Sequence, residues 1–120
     1  MTTRTAVVTG GLGGLGTEIC KHLARAGRKV VAADLAGRAD RVDEFRRETA
    51  EFNGAIRFED LDVTDEASCA ELVRRAAGDS GGVDILVNAA GITRDGTLRK
   101  MSSQQWRDVL TVNLDGVFHM

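Results

Sequence analysis

The 120-residue chain lacks proline and has only two cysteines and short apolar runs. Two cysteines are too few for a disulfide framework, and no Cys or His cluster has metal-ligand spacing. The apolar runs are too short to cross a bilayer. The start, MTTRTAVVTG, enters a predicted strand without the apolar segment of a secretory signal. We therefore expect a cytoplasmic protein without a bound metal or a membrane span.

The chain also lacks a large excess of charge of either sign. Sixteen basic and eighteen acidic side chains leave a net charge of −2. This balance gives no electrostatic reason to expect a nucleic acid or an anionic membrane as a partner. The length allows one domain at most.

The secondary structure predicted from the sequence alternates between strands and helices, with turns at the glycines. Thr64 is the predicted cap of the third helix, and Ser102 with Gln105 forms a capping box for the last. The predicted strands are 4–9, 29–34 and 83–88, and 55–63 is the predicted third strand together with its exit. The first two predicted helices are 15–26 and 41–52.

This alternation predicts an α/β fold. Near-continuous apolar strands are typical of a parallel sheet that is covered on both faces. Right-handed crossovers place the first two helices on one face, and strand order 3-2-1-4 places the third on the other. The result is an incomplete, doubly wound Rossmann-type sheet. Cys20 and Cys69 then lie on opposite faces, too far apart for a disulfide.

The stretch TGGLGGLG at 9–16 fits three glycine patterns of nucleotide-binding loops. These are Gly11-Gly13-Gly16, Gly10-Gly14-Gly16 and Gly10-Gly13-Gly16. The stretch lies between a predicted strand and a predicted helix. Backbone N–H groups there and the helix N-terminus can meet a pyrophosphate without intervening side chains. We therefore predict a dinucleotide-binding loop.

Asp34 ends the second strand, 18 residues after Gly16. A carboxylate there can accept hydrogen bonds from adenosine ribose hydroxyls and would repel a 2′-phosphate. This favours NAD(H). Arg38 could neutralise a phosphate, so NADP(H) is also possible.

Two further segments end strands. Asp62 and Val63 could flank an adenine ring, or they could form a plain turn. Asn88, Ala89, Ala90 and Gly91 could let the backbone approach a cofactor, or they could form an ordinary strand-to-loop turn.

Asn113 lies within the last predicted helix, between Val112 and Leu114. Asparagine is a poor helix former, and a buried amide must find partners. It is either a satisfied core residue or one that perturbs the helix to hold a water.

Together these motifs resemble the short-chain dehydrogenase/reductase family. Thr9-Gly10-x-x-x-Gly14-x-Gly16 is similar to its cofactor motif, and Asp62-Val63 to its adenine site. NAAG at 88–91 is similar to its N-[NA]-A-G motif, and NLDGVF at 113–118 to the segment with its active-site asparagine. The resemblance favours the second glycine pattern. It implies a catalytic role for Asn113. It also implies a set of cofactor-binding residues, the predicted cofactor set: Thr9, Gly10, Gly14, Leu15, Gly16, Asp34, Asp62, Val63, Asn88, Ala89, Ala90 and Gly91.

Residues 91–106 further resemble β-ketoacyl-thioester reductases. Such enzymes reduce a 3-oxo group with a nicotinamide hydride, and many prefer NADPH, whereas Asp34 argues for NADH. The implied partner is a CoA or acyl-carrier-protein thioester. Arg94, Arg99 and Lys100 could meet its phosphates or form a solvated loop.

The chain departs from the family in one respect, because it contains no tyrosine. The catalytic Tyr-x-x-x-Lys and its preceding Ser would follow beyond residue 120. We therefore expect residues 1–120 to be the N-terminal part of one dinucleotide-binding domain, inactive alone and homo-oligomeric at full length. The alternatives are a binding module without catalysis and an unstable fragment.

Overall fold

The structure is a computed structural model that describes residues 3–78 and 81–120. Its strands are β1 (Thr5–Thr9), β2 (Lys29–Asp34), β3 (Ile56–Asp60) and β4 (Ile85–Asn88). Its helices are α1 (Gly14–Arg25), α2 (Ala39–Glu48), α3 (Glu66–Ala77), α4 (Ser103–Leu110) and α5 (Gly116–His119), with a 3-10 turn at Ala50–Phe52 and a π-helical segment at Thr111–Asp115.

The four strands form one parallel sheet in the order β3-β2-β1-β4, which confirms the predicted order. Thr9 is paired with Ala33 of β2 and with Asn88 of β4. Asp34 is paired with Asp60 of β3. The register therefore brings the carboxyl ends of all four strands to one edge of the sheet.

Two apolar clusters cover the two faces of the sheet. Val8, Val30 and Ala32 pack with Cys20 of α1 and Phe45 of α2. On the other face, the strand residues Val7, Val31 and Ala33 pack with Cys69 and Leu72 of α3. Side chains alternate between faces along a strand, so each cluster takes every second residue. The predicted faces are confirmed, and both cysteines are free and buried.

Two predicted helix boundaries are wrong. The helix predicted over 41–52 ends at Glu48, and the 3-10 turn follows it. The cap of α3 is Asp65 rather than Thr64, because the Asp65 carboxylate accepts the N–H groups of Ala67 (3.0 Å) and Ser68 (3.3 Å). The Thr64 hydroxyl instead donates to Asp62 Oδ1 at 2.7 Å.

β4 is shorter than predicted, whereas β3 ends at Asp60 and is followed by the predicted exit. Residues 61–63 leave β3 for a turn. Before β4, the Asp84 carboxylate accepts the N–H of Thr5 at 2.7 Å, so a side chain takes part in the pairing with β1.

The last helical region begins with the predicted capping box between Ser102 and Gln105. It continues through the π-helical segment into α5. Val112 and Met120 pack against the α3-side cluster. Another face is exposed and apolar, with Trp106 54% and Phe118 83% accessible.

Within the described ranges, no helix is long and apolar enough to span a membrane. The same part of the chain holds no group of three or more His, Cys, Asp or Glu side chains arranged for a metal ion.

Candidate nucleotide-binding site

A cleft of about 220 Å³ opens at the carboxyl-end edge of the sheet. This is the place where open parallel sheets bind ligands, beside the point where the strand order reverses. Seven residues of the predicted cofactor set line it: Gly10, Asp34, Asp62, Val63, Ala89, Ala90 and Gly91.

Three glycines in the loop after β1 and the first turn of α1 are required by packing. Gly10 has a φ of +66°, and a Cβ there would lie 2.6 Å from the carbonyl oxygen of Ala89. A Cβ at Gly16 would lie 2.1 Å from the Gly10 oxygen, and one at Gly11 would lie 2.8 Å from Ala32 Cβ. Gly10 and Gly16 belong to the glycine pattern that the resemblance favours, whereas Gly11 does not.

Gly14, the remaining glycine of that pattern, differs from these three. A Cβ there would meet nothing within 4 Å. The protein's own packing therefore gives no reason for a glycine at the first position of α1. Close approach of a ligand to the backbone would give one.

The N-terminus of α1 is suited to an anion. Its cap residue, Gly13, makes no side-chain capping bond, and the first turn has no acidic side chain. The Leu15 side chain is 73% exposed and leaves the backbone accessible. The Thr17 hydroxyl donates to the Gly11 carbonyl at 2.9 Å and so braces the loop. The free N–H groups of a helix N-terminus can hold a pyrophosphate.

Asp34 lies at the end of β2 and is half-buried. Its Oδ2 accepts the Leu12 N–H at 3.2 Å, and its Oδ1 accepts the Leu35 N–H at 2.8 Å. Each carboxylate oxygen has two acceptor sites. The carboxylate can therefore brace the glycine loop and still accept a hydroxyl from the cleft. The exposed Arg38 lines the same cleft.

Asp62 and Val63 form the turn after β3. Asp62 Oδ1 accepts the backbone N–H of Thr64 at 3.0 Å, in addition to its hydroxyl. Val63 is 8% exposed. The turn is thus satisfied by its own contacts, and Val63 still presents an apolar surface in the cleft lining. Both functions foreseen for this pair fit the geometry.

The backbone after β4 is held close to β1. The Thr9 hydroxyl accepts the Ala90 N–H at 3.2 Å. Thr9 and Asn88 line a second, narrower gap together with Gly116, rather than the cleft. Gly14, Leu15, Gly16 and Asn113 are also absent from the cleft lining.

Asn113 is exposed, so the expectation of a buried amide is wrong. Its Oδ1 accepts the Ile92 N–H at 2.8 Å, and its Nδ2 donates to the Ile92 carbonyl at 3.0 Å. The residue lies at the centre of the π-helical segment, a feature often found at functional sites. Its amide fixes the segment that follows β4.

Sequence reasoning missed several lining residues: Leu35, Leu61, Thr64, Ile92 and Val112. Each of them lies within four residues of a predicted site residue. Proximity in the sequence to a motif was therefore the signal that could have identified these lining residues.

Neither cysteine is an activated nucleophile. Burial raises the pKa of the Cys20 thiol to about 12. Burial, and then the charges of Asp62, Asp65 and Glu66, raise the pKa of the Cys69 thiol. The reactive form of a thiol is the thiolate, which both environments disfavour.

Comparisons with known proteins agree with this geometry. Among curated proteins, the chain is 44% identical over 117 residues to acetoacetyl-CoA reductase of Rhizobium meliloti (strain 1021), covering 98% of this chain and 46% of that protein. It is 42% identical over 117 residues to acetoacetyl-CoA reductase of Allochromatium vinosum, covering 98% of this chain and 48% of that protein. The chain thus spans about half the length of the curated relatives it matches.

Among solved structures, the apo form of LigO from Sphingobium sp. strain SYK-6 superposes with a TM-score of 0.88 at 37% identity, covering 97% of this chain and 43% of that one. An actinorhodin polyketide ketoreductase with NADPH superposes with a TM-score of 0.88 at 29% identity, covering 98% and 44%. The family model described as short chain dehydrogenase matches residues 4–120. The chain belongs to the short-chain dehydrogenase family.

Proposed function

We propose that this chain binds the adenosine half of a nicotinamide dinucleotide in the cleft. The proposal is carried by one observation, that the cleft unites Gly10 after β1, Asp34 at the end of β2 and Asp62 after β3. In the longer enzyme that we infer, residues 1–120 form the N-terminal part of one dinucleotide-binding domain. That enzyme is an NAD(P)-dependent oxidoreductase that reduces a 3-oxoacyl thioester to a 3-hydroxyacyl thioester.

The residues present fit the dinucleotide. The uncapped start of α1 and the open space at Gly14 would receive the pyrophosphate. Asp34 would accept the ribose hydroxyls, and Val63 would lie against the adenine. When bound, the cofactor supplies or accepts a hydride; the residues of this chain bind and orient it.

We infer a preference for NAD(H). A carboxylate at the ribose would repel a 2′-phosphate, and Asp34 is fixed there by its bonds to the Leu12 and Leu35 N–H groups. Arg38 is exposed, whereas Asp34 is half-buried, so we infer that Arg38 is the weaker determinant. NADP(H) remains the second cofactor of this proposal.

The substrate class rests on the relatives, several of which are named acetoacetyl-CoA reductases. The loop before α4 contributes cations that could meet thioester-carrier phosphates. Arg94 lies 3.7 Å from the Asp108 carboxylate and is therefore partly neutralised. Arg99 and Lys100 are exposed and are the better candidates.

A second function, cofactor binding without catalysis, is favoured for residues 1–120 alone. Hydride transfer to a ketone needs a proton donor for the developing alkoxide, and the chain has no tyrosine. The Asn113 amide is already bonded to Ile92 and could at most help to position a water. NADH oxidation with acetoacetyl-CoA by this polypeptide would contradict this second function.

Gly14→Ala tests the binding site directly. The fold has room for the added methyl group, and alanine is the better helix former, so stability should hold or rise. The methyl group would, however, obstruct the pyrophosphate. We expect NADH affinity, followed by nicotinamide fluorescence, to fall at least about tenfold, the effect of ~1.4 kcal/mol.

Gly96→Ala is the matched control, because a Cβ at Gly96 also meets nothing within 4 Å and the residue lies outside both the cleft lining and the start of α1. Its NADH affinity should equal that of the wild type. Equal affinity of the Gly14→Ala chain would reject the proposed site.

A further inference from the structure

The last residue of α5 contacts the turn after β3. His119 Nδ1 lies 2.7 Å from the carbonyl oxygen of Val63, a residue 56 positions earlier in the chain. A carbonyl oxygen can only accept, so the proton of this hydrogen bond resides on Nδ1. The ring thus donates to the backbone of a residue that lines the cleft.

A second contact brings the same helix and the same turn together. Gly116 is buried, and a Cβ there would lie 2.8 Å from Val63 Cγ2. The glycine therefore lets α5 approach Val63 closely. Val63 is held from two sides, by the His119 ring at its carbonyl and by the α5 backbone at its side chain.

The turn is also anchored by the core and by β2, because Val63 packs in the α3-side cluster and the Leu61 N–H donates to the Asp34 carbonyl at 2.9 Å. Its internal bonds join Asp62 to Thr64 and do not fix the turn against the sheet. Toward α3, the Asp62 N–H is bonded to Ser68 Oγ at 3.1 Å, and the Cys69 thiol donates weakly to the Val63 carbonyl at 3.7 Å. Of these two hydrogen bonds to the Val63 carbonyl, the one from His119 is the shorter, and an imidazole N–H is a stronger donor than a thiol.

We propose that His119 is a positioning residue for the adenine end of the cleft. Its Nδ1–H group fixes the position of the Val63 carbonyl. It thereby sets how far the Val63 side chain extends into the cleft. Through Asn113, the same helical region also fixes Ile92, another residue of the cleft lining. This inference rests on the proposed dinucleotide site and adds a residue that the motifs do not include.

The test measures the affinity of residues 1–120 for two probes, ADP and NADH, which share the adenosine end. His119→Leu removes the donor, whereas His119→Asn returns an amide N–H near the position of Nδ1. His22→Leu is the matched control, because His22 is exposed on α1 and does not line the cleft. Thermal unfolding verifies that each variant is folded at the titration temperature.

We expect His119→Leu to weaken ADP and NADH by the same factor, about 2- to 10-fold, as for one net hydrogen bond. His119→Asn should recover most of that loss, and His22→Leu should match the wild type. If His119→Leu fails to fold, His119→Asn is compared with His119→Gln, whose amide lies farther along the side chain. The His119→Asn chain should then bind both probes more tightly than the His119→Gln chain.

Three outcomes overturn the inference. If wild type binds both probes and His119→Leu binds them equally well, His119 does not position the site, and the proposed function stands. If His119→Leu weakens the binding of NADH but not the binding of ADP, the effect is not at the adenine end. If wild type binds neither ADP nor NADH, the proposed function fails and this inference fails with it.

Discussion

At the scale of single residues, Asp34 has two tasks that use different acceptor sites of one carboxylate. It braces the glycine loop through the Leu12 N–H, and it faces the cleft. Asp34→Asn keeps one acceptor oxygen and removes the charge. A charge-assisted hydrogen bond is worth about 1.5–3 kcal/mol, so NADH affinity should fall about 10-fold or more while NADPH affinity rises.

Arg38→Ala is the companion variant, because Arg38 lines the same cleft with the opposite charge. It should weaken NADPH and leave NADH unchanged in the same fluorescence titration. A wild type that binds NADPH more tightly than NADH would show that Arg38 dominates.

The buried thiols give a prediction about pH. Burial raises the pKa of the Cys20 thiol to about 12, against 9.0 for a free thiol. The thiol of the unfolded chain therefore loses its proton at a lower pH than the thiol of the folded chain. The contribution to stability is complete below pH 9 and is lost as the pH rises toward 12. The free energy of unfolding in urea should therefore fall over this range.

Cys20→Ala isolates the contribution of this thiol to the pH dependence. The alanine chain starts from a lower stability because it loses buried atoms, but its fall with pH should be shallower. Equal slopes for the two chains would contradict the assignment.

The sequence predicted the residues whose role is local. Gly10 and Gly16 follow from a motif, since the strand, the turn and the helix that need them are adjacent in the chain. His119 and Gly116 could not be found in this way. Their role depends on contact with Val63, more than fifty positions away, which exists only once α5 lies against the turn.

At the scale of elements, the start of α3 shows how caps compete. Asp65 accepts two N–H groups of the first turn, while Thr64 is bonded to Asp62. Asp65→Ala should therefore lower the free energy of unfolding by about 1 kcal/mol, the usual cost of a lost cap. Thr64→Ala should cost less. Urea unfolding followed by circular dichroism measures both free energies. A larger loss of stability for Thr64→Ala would show that Thr64 is the cap, as the sequence predicts.

The strand order was predictable because it depends on which face each amphipathic helix must cover. The ends of elements were less so. α2 ends at Glu48 although the apolar pattern continues to Phe52, because the chain tightens into a 3-10 turn before β3. The sequence indicated the π-helical segment only as a perturbation of the helix at Asn113, and the two bonds that Asn113 makes to Ile92 join segments that are distant in the sequence.

At the scale of the whole molecule, the shape is elongated. The radius of gyration is 15.1 Å, against about 14 Å for a compact domain of this length. Large apolar side chains remain exposed along α4, the π-helical segment and α5, including Trp106, Leu114 and Phe118. The proposed nucleotide cleft adjoins the buried strands β1 and β2, so we expect it to form in this chain despite that exposed face.

The central claim is that the cleft at the carboxyl ends of the strands is the dinucleotide site. It is tested most directly by adding NADH to isotopically labelled residues 1–120 and following assigned backbone amide resonances. We predict saturable shifts at Gly14, Leu35, Val63 and Gly91. Shifts confined to the groove of Leu98, Met101 and Trp106, with the cleft amides unmoved, would contradict the account.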